Sequence, residues 1–181
     1  MNKLLKLNVG CGETKHEDFI NIDAEVKTKP DIVCDLRFTA LPFKDNSADT
    51  IYCIHSIEHV ELKYWNRFFV EFFRVLVSNG QLVLAYPEFE KCARNFLENY
   101  RGLKDFFRNT LYGRQLYPGD YHVTPCVTED IIRILREWGF RQFSYGPDPA
   151  CEWYTFIQCF KGDLPVTRED VLRKEIFNVS V

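Results

Sequence analysis

A turn-forming segment near the start of the chain, Gly10-Cys11-Gly12, directly follows an apolar, strand-like run. Glycines at such a point let the backbone turn sharply and allow a ligand to approach where side chains would block it. The third glycine of a dinucleotide-binding fingerprint is missing, because Lys15 stands in its place, and no phosphate-binding lysine pattern is found. The segment therefore indicates a small-ligand site but argues against a pyrophosphate cradle.

Two carboxylates end the next two strand-like segments, Asp23 after Ile20–Ile22 and Asp35 after Ile32–Cys34. In open parallel sheets, ligands bind beside the carboxyl ends of the strands. An acid after the second strand can accept hydrogen bonds from both ribose hydroxyls, and an acid after the third can accept from an adenine amino group. Either acid alone could simply turn the chain. Their order behind a glycine turn favours a nucleoside ligand.

The segment His55-Ser-Ile-Glu-His59 brings two histidines and a glutamate together. It matches the HxxEH pattern of a zinc peptidase, which needs both histidines on one helical face and a third ligand further along. Because His55 directly follows an apolar run that ends a strand, we predict no metal site. We interpret His59 as a partly buried, hydrogen-bonded histidine. His55 and His122 are the candidate general bases for an acceptor that must lose a proton.

A parallel sheet in an α/β fold is predicted to position these residues, since short apolar runs alternate with turn signals over the first ninety residues. An amphipathic helix is predicted over 61–76, where seven apolar residues recur at spacings of three and four. We expect a helix over 88–112, another that Thr128 caps, and a final polar helix from 167 onward. The predicted strands are Leu4–Val9, Phe19–Asp23, Asp31–Cys34, Thr50–Ile54, Gln81–Tyr86, and a hairpin of 141–145 with 153–160.

A segment rich in aromatic residues, 88–127, interrupts this pattern. Because we see no segment before the first strand that could cover a pocket, we expect this insertion to cover the acceptor. Tyr117 and His122 are the residues that we expect to contact it. The chain, 1–181, is predicted to form a single domain in which 162–181 is a C-terminal tail.

Composition narrows the class of protein further. The chain has 181 residues and a formal net charge of −3, which argues against a nucleic-acid partner. No signal peptide and no apolar run of about 18 residues is present, so we expect no membrane segment and a cytoplasmic location. The seven cysteines are scattered without a CxxC pair, which favours buried thiols over disulfides or a structural zinc site.

Taken in order, these motifs resemble those of the class I S-adenosylmethionine-dependent methyltransferases, in their compact form. The resemblance covers residues 4 to about 87. The segments that carry it are Leu5-Lys-Leu-Asn-Val-Gly-Cys-Gly12, Asn21-Ile-Asp23, Asp35-Leu36, Leu41-Pro-Phe43, Ser47-Ala-Asp49, His55-Ser-Ile-Glu-His-Val60, Arg74-Val-Leu76 and Asn79-Gly-Gln-Leu-Val-Leu84.

The resemblance implies an α/β, three-layer Rossmann-like sandwich with a mostly parallel seven-stranded sheet and an antiparallel last strand. S-adenosyl-L-methionine would lie across the strand ends and leave as S-adenosyl-L-homocysteine. Gly10 and Gly12 would lie near its methionine part, Asp23 on the ribose, and Asp35-Leu36 beside the adenine. The complete set of expected cofactor contacts is Asn8, Gly10, Cys11, Gly12, Asp23, Ala24, Asp35, Leu36 and His55, the last on the side of the methyl group.

Two departures from the family pattern have structural consequences. Asn8 stands where the family usually has an acidic residue, so we expect a weaker or water-mediated contact with the methionine amino group. Only about nine residues separate the first two strands, whereas a parallel crossover needs a dozen or more. We therefore expect a stunted helix in that connection.

The predicted activity is methyl transfer to a small-molecule or saccharide acceptor by in-line displacement, in which the protein aligns donor and acceptor. The alternative is a non-catalytic module that binds S-adenosylmethionine or a nucleotide, or one subunit of an assembly, because the acceptor half carries no recognisable motif.

Overall fold

One mixed sheet of seven strands organises the protein, as seen in a computed structural model that describes residues 4–99, 105–117, 119–149 and 151–163. The spatial order is β3-β2-β1-β4-β5-β7-β6, and β7 alone runs antiparallel to its neighbours. This confirms the predicted Rossmann-like α/β class with its antiparallel last strand. The strands are β1 Leu5–Val9, β2 Ile20–Asp23, β3 Ile32–Val33, β4 Ala48–Ile54, β5 Leu76–Pro87, β6 Phe140–Asp148 and β7 Cys151–Lys161.

Four α-helices accompany the sheet in the described part of the chain: α1 Leu62–Val75, α2 Phe89–Asn99, α3 Asp105–Tyr112 and α4 Thr128–Glu137. α1 confirms the helix predicted from the apolar spacing. Within the helix predicted over 88–112, the structure describes α2 and α3, and residues 100–104 lie outside the described part. None of the described helices is long and apolar enough to cross a bilayer. The expected polar helix from 167 onward lies outside the described residues.

The core lies between the sheet and α1. A row of buried side chains crosses the sheet in register, from Leu7 through Ile51 and Leu82 to Cys159. α4 joins the same core, and the Trp138 indole that follows it donates a hydrogen bond to Asn66 Oδ1 on α1, at 3.0 Å. The apolar faces of both helices are thereby buried together.

The connection from β1 to β2 contains no helix, so the expected stunted helix is wrong. Side-chain amides hold the short connection instead. The Asn8 amide group donates to Thr14 O and to Asn21 Oδ1, both at 3.0 Å, and the Asn21 amide group donates to Asp31 Oδ2, also at 3.0 Å. The bond to Thr14 O satisfies a backbone carbonyl, and the other two join β1, β2 and the segment before β3 through their side chains.

Thr128 does not cap α4, contrary to expectation. The N-cap position belongs to Val127, and the Thr128 hydroxyl donates to the buried Glu88 carboxylate and lies 3.0 Å from the Tyr86 hydroxyl. Glu88 is buried, so its carboxylate needs a hydrogen-bond donor from the protein, and burial also raises its pKa. The threonine therefore links the helix to the end of β5.

A buried ion pair fixes the loop before β4. Arg74 is 6% exposed and donates to both carboxylate oxygens of Glu71, at 2.8 Å each. The same guanidinium donates to Leu41 O at 3.1 Å, to Phe43 O at 2.9 Å and to Asp45 Oδ1 at 2.7 Å. The Leu41 N–H also donates to Glu71 Oε2 at 2.9 Å, so the position of the loop depends on both members of this ion pair.

Candidate active site

A cavity of about 420 Å³ opens at the carboxyl ends of β1, β2 and β4, a size typical of small-molecule sites. All of the residues that sequence reasoning assigned to the cofactor line this one cavity, as does Tyr117, whereas His122 lies outside it. The structure therefore brings the predicted cofactor residues together. The cofactor residues along its wall are Asn8, Gly10, Cys11, Gly12, Asp23, Ala24, Asp35, Leu36 and His55.

The glycine turn has two distinct reasons for lacking side chains. Gly10 has a φ of 70°, and a Cβ there would lie 1.9 Å from Ser56 Oγ, in the loop after β4. Gly12 has a φ of 50°, but a Cβ there would meet no heavy atom within 4 Å. The first glycine permits close packing of two loops. The second leaves open space beside the cavity.

Asp23 holds the glycine turn in place. Its Oδ2 accepts from the Gly12 N–H at 2.7 Å, and its Oδ1 accepts from the Glu25 N–H at 2.8 Å. The strand-end acid thus organises the local backbone, as such acids commonly do. Each carboxylate oxygen has a second lone pair, so the side chain keeps accepting capacity toward the cavity.

Asp35 forms an ion pair that the sequence did not predict. Arg37 donates from Nη2 to Asp35 Oδ2 at 2.7 Å and from Nε to Oδ1 at 3.0 Å, a two-bonded arrangement. Burial would raise the pKa of Asp35, but the hydrogen bonds and charge of Arg37 outweigh it, and the pKa is lowered. The carboxylate is therefore ionised at neutral pH and already paired.

Asn8 and Cys11 form the floor of the cavity. Asn8 is 3% exposed, and both hydrogens of its amide are used within the β1–β2 connection, so Oδ1 is the atom that remains to accept from a ligand. Burial, followed by the nearby charge of Asp23, raises the pKa of Cys11 to about 11. The Cys11 thiol is therefore protonated and serves in packing.

His55 stands between the cofactor cavity and a second cavity. Its φ of 50° is left-handed, an uncommon conformation for a residue with a side chain. Its Nδ1 lies 3.7 Å from Glu58 Oε1, and its ring contacts Tyr154 at a centroid distance of 4.5 Å. The segment that follows forms a short 3₁₀ helix, Ile57–His59, before α1 begins. This turn directs Glu58 inward.

The loop after α3 covers the cofactor cavity. Arg114, Tyr117, Gly119 and Asp120 all line it. Asp120 is buried, accepts from the Leu116 N–H at 3.2 Å and pairs with Arg114 at 3.5 Å. Burial raises the pKa of Tyr117, and the charges of Asp120 and Asp23 raise it further. Tyr117, predicted to touch the acceptor, therefore lies on the wall of the cofactor cavity.

A second cavity of about 260 Å³ adjoins the first. His55, His59, Arg114 and Asp120 line both, and the second adds His122. Sequence reasoning missed several lining residues. The one local signal for any of them was the HxxEH pattern, which contains Glu58 but was set aside. The missed residues are Glu58, Arg114, Asp120 and Tyr154.

Comparison with known proteins agrees with this geometry. Residues 16–84 match the family model of a methyltransferase domain. No curated protein sequence matches the chain.

Several solved structures share the fold. An S-adenosylmethionine-dependent methyltransferase from Thermotoga maritima aligns with a TM-score of 0.61 at 16% identity, covering 89% of this chain and 84% of that one. Another from Archaeoglobus fulgidus aligns with a TM-score of 0.63 at 14% identity, covering 88% and 87%. Phosphoethanolamine N-methyltransferase 2 of Haemonchus contortus, solved in complex with S-adenosyl-L-methionine, aligns with a TM-score of 0.56 at 13% identity, covering 90% and 50%.

The sheet order and the position of the cavity define a class I methyltransferase fold. Residues 16–84 are thus similar to a methyltransferase domain, and the chain shares its fold with solved S-adenosylmethionine-dependent methyltransferases.

Proposed function

We propose that S-adenosylmethionine occupies the cavity of about 420 Å³, with its methionine part beside the glycine turn and its nucleoside toward Asp23 and Asp35. The residues present fit such a group. Gly12 leaves open space where a side chain would stand, and Asp23 retains accepting capacity for ribose hydroxyls. Asn8 Oδ1 is the acceptor available for the methionine ammonium group, in place of the acid common in the family.

At the adenine end, the proposal gives Asp35 and Leu36 different tasks. Asp35, ionised and held by Arg37, would accept from the adenine amino group through a remaining lone pair. Leu36 is buried and offers apolar contact to the ring. Arg37 thereby acts as a positioning residue for the acid.

When bound, the cofactor supplies a methyl group attached to a positively charged sulfur. The neutral thioether that remains after methyl transfer is a good leaving group. The work left to the protein is to align an acceptor with that group and to keep water out. If the acceptor is a hydroxyl, a base must take its proton. Burial lowers the pKa of His122, so its imidazole is neutral and able to accept a proton near neutral pH. His55, exposed where the two cavities meet, is the second candidate base.

The acceptor is proposed to be a small molecule or a saccharide, held in the second cavity. That cavity is small, at about 260 Å³, and polar side chains such as Asn109, Arg114 and Asp120 line it. These groups suit an acceptor that carries hydroxyl or amino groups. The meeting of the two cavities at His55 and His59 is the observation that carries the proposal, because donor and acceptor must be adjacent.

The free cysteines, buried for the most part, are consistent with a cytoplasmic location.

Calorimetry with S-adenosylmethionine and S-adenosylhomocysteine tests the cofactor assignment. We expect both to bind with one site per chain, and the absence of binding by either would overturn it. Release of S-adenosylhomocysteine should then rise when a true acceptor is added from a panel of small molecules and saccharides. Cofactor binding with no acceptor-dependent release across nucleic acids, proteins and small molecules would favour the non-catalytic module instead.

A further inference from the structure

Three potential metal ligands converge between the two cavities. One ligand atom from each of Glu58, His59 and His122 lies within 4.8 Å of the other two. Among the described residues, this is the cluster of His, Cys, Asp or Glu side chains close enough to hold a metal ion. Two come from the 3₁₀ helix after β4 and the third from the loop before α4, more than sixty positions further along. The expectation of no metal rested on pairing His55 with His59, whereas the structure supplies His122 as a distant third member.

The tautomers of both histidines follow from their neighbours. His59 Nδ1 lies 3.0 Å from Tyr121 O, and His122 Nδ1 lies 2.8 Å from Thr110 O. A backbone carbonyl can only accept, so each Nδ1 must carry the proton and donate. Each Nε2 then presents a lone pair. Histidines that bind metals are typically oriented in this way, by donating the other ring N–H to a carbonyl or carboxylate.

The glutamate has an unsatisfied atom at the same place. Glu58 is 2% exposed, and its Oε2 has no hydrogen-bond partner among the described residues. Its Oε1 is 3.7 Å from His55 Nδ1, which is beyond a good hydrogen bond. A buried carboxylate oxygen without a partner is costly. A cation bound beside it would remove that cost.

The backbone holds the two segments together without any ion. The N–H groups of Val123 and Thr124 donate to Glu58 O at 2.9 and 3.3 Å, and Thr124 Oγ1 donates to Val60 O at 2.8 Å. These bonds lie directly beside His122. The three ligands are thus organised by the fold, as a binding site requires.

We propose that Glu58, His59 and His122 bind one divalent transition-metal ion, Zn²⁺ being the ion that best suits them, with a coordination position open to the second cavity. Two histidines and one glutamate form a known catalytic zinc set that leaves the fourth position for water or substrate. Nitrogen and oxygen donors of this kind suit Zn²⁺ better than Mg²⁺ or Ca²⁺. Metal–ligand distances of about 2.0–2.2 Å require the three side chains to close modestly around the ion.

The role of the ion rests on the proposed methyl transfer. An acceptor hydroxyl bound at the open position would lose its proton to solvent more readily, because the cation stabilises the resulting oxyanion. The ion would then replace His122 as the group that activates the acceptor, because the Nε2 lone pair of His122 would be bound to the metal. That oxygen then forms a bond to the methyl carbon as the carbon–sulfur bond breaks, and the electron pair of that bond goes to sulfur. The products are the methylated acceptor and neutral S-adenosylhomocysteine, so atoms and charge balance.

Metal titration of chelator-treated protein tests the site. We expect the unmodified protein to bind one Zn²⁺ per chain, measured by calorimetry, and one Co²⁺ with an absorption spectrum that lacks thiolate bands. His59→Ala, His122→Ala and the isosteric Glu58→Gln should each weaken binding by at least about 100-fold. His55→Ala is the matched control, because it removes a histidine of the same pattern and should change affinity less than about 3-fold. Circular dichroism verifies that each variant is folded.

Several results would overturn the inference. These are no stoichiometric binding to the unmodified protein, a thiolate band that reveals a cysteine site, or unchanged affinity in the folded Glu58→Gln variant. Loss of binding in His55→Ala with retention in His122→Ala would also overturn it. Cofactor titration of the metal-free protein keeps the two proposals separate: binding of S-adenosylmethionine without Zn²⁺ binding defeats only the metal site, and the reverse result defeats only the cofactor assignment.

Discussion

Two regions of this protein are held together by different kinds of contact: the cofactor side, which is the glycine turn with its neighbouring strand ends, and the proposed acceptor side, which is the set of loops around the second cavity. Around the glycine turn, side chains bond to backbone groups of the neighbouring strand end, as Asp23 does with Gly12. In the loop before α4, positions depend on contacts between segments far apart in the sequence, such as that of His59 Nδ1 with Tyr121 O, 62 positions away. Sites at strand ends can therefore be predicted from the order of motifs along the sequence. Sites that form where distant loops pack together cannot be predicted in this way.

The two sides also differ in chemistry. The cofactor cavity combines glycines, an amide and two acids, a set suited to hydroxyl and amino groups of a nucleoside. The junction with the second cavity gathers imidazoles around one buried carboxylate. The first set binds and orients, whereas the second can move a proton or hold a cation. Variants on each side should thus separate binding from chemistry.

The largest effect is expected from Arg74, which anchors the loop before β4. Arg74→Met leaves Glu71 buried without its partner, and breaking such a pair costs about 3–5 kcal/mol of unfolding free energy. Chemical denaturation measures it. On the acceptor side, Thr124→Val removes one hydroxyl bond to Val60 O and should cost only about 1 kcal/mol. Equal losses in the two variants would mean that the loop before α4 is held as firmly as the loop before β4.

The two glycines of the turn should differ in the same assay. Gly10→Ala combines a left-handed φ, which costs about 1–2 kcal/mol, with a clash against Ser56 that adds about 1–3 kcal/mol. Gly12→Ala has only the conformational cost, because its Cβ would meet no atom. Gly146→Ala, with open space and no left-handed φ, is the control and should be nearly neutral. A Gly12→Ala variant as unstable as Gly10→Ala would contradict the description of the turn.

Much of the fold was predictable because its signals are local. The spacing of apolar residues over 61–76 predicted α1, which spans Leu62–Val75. The glycine turn and Asp23 were predicted to meet because each follows a strand end, and parallel strands place those ends together. The unpredicted features arise because side chains have alternative partners. Arg37 donates to Asp35, and the Thr128 hydroxyl donates to Glu88 instead of capping α4.

The arrangement of Glu58 and His122 on the proposed acceptor side could not be predicted from local sequence patterns. The direction of Glu58 depends on the short 3₁₀ helix that precedes α1. The meeting of His122 with Glu58 depends on a long insertion folding back over the sheet, and no spacing rule covers that distance. The HxxEH pattern was therefore noticed, but only the structure shows that Glu58 and His59 lie beside His122.

The two acids of the cofactor cavity should contribute unequally to affinity. Asp23→Ala removes two expected ribose contacts and the anchor of Gly12, so we expect cofactor binding to weaken about 30-fold, or about 2 kcal/mol. Asp35→Ala should cost less than about 5-fold, because its oxygens already accept from Arg37 and the adenine contact is single. Calorimetry with S-adenosylmethionine measures both. Affinities equal to that of the unmodified protein would show that these acids only turn the chain.

The smallest expected effect, that of Tyr117→Ala, tests whether Tyr117 contacts the cofactor or the acceptor. Tyr117 belongs to the insertion but lines the cofactor cavity, so Tyr117→Ala should raise the Kd for the cofactor about 5-fold through lost apolar contact. Tyr112→Ala, in the same insertion but 60% exposed, is the matched control and should leave that Kd unchanged. An unchanged Kd for the cofactor, with a raised KM for the acceptor, would place Tyr117 on the acceptor side after all. The insertion would then cover only the second cavity, and the cofactor cavity would be closed by the strand-end loops alone.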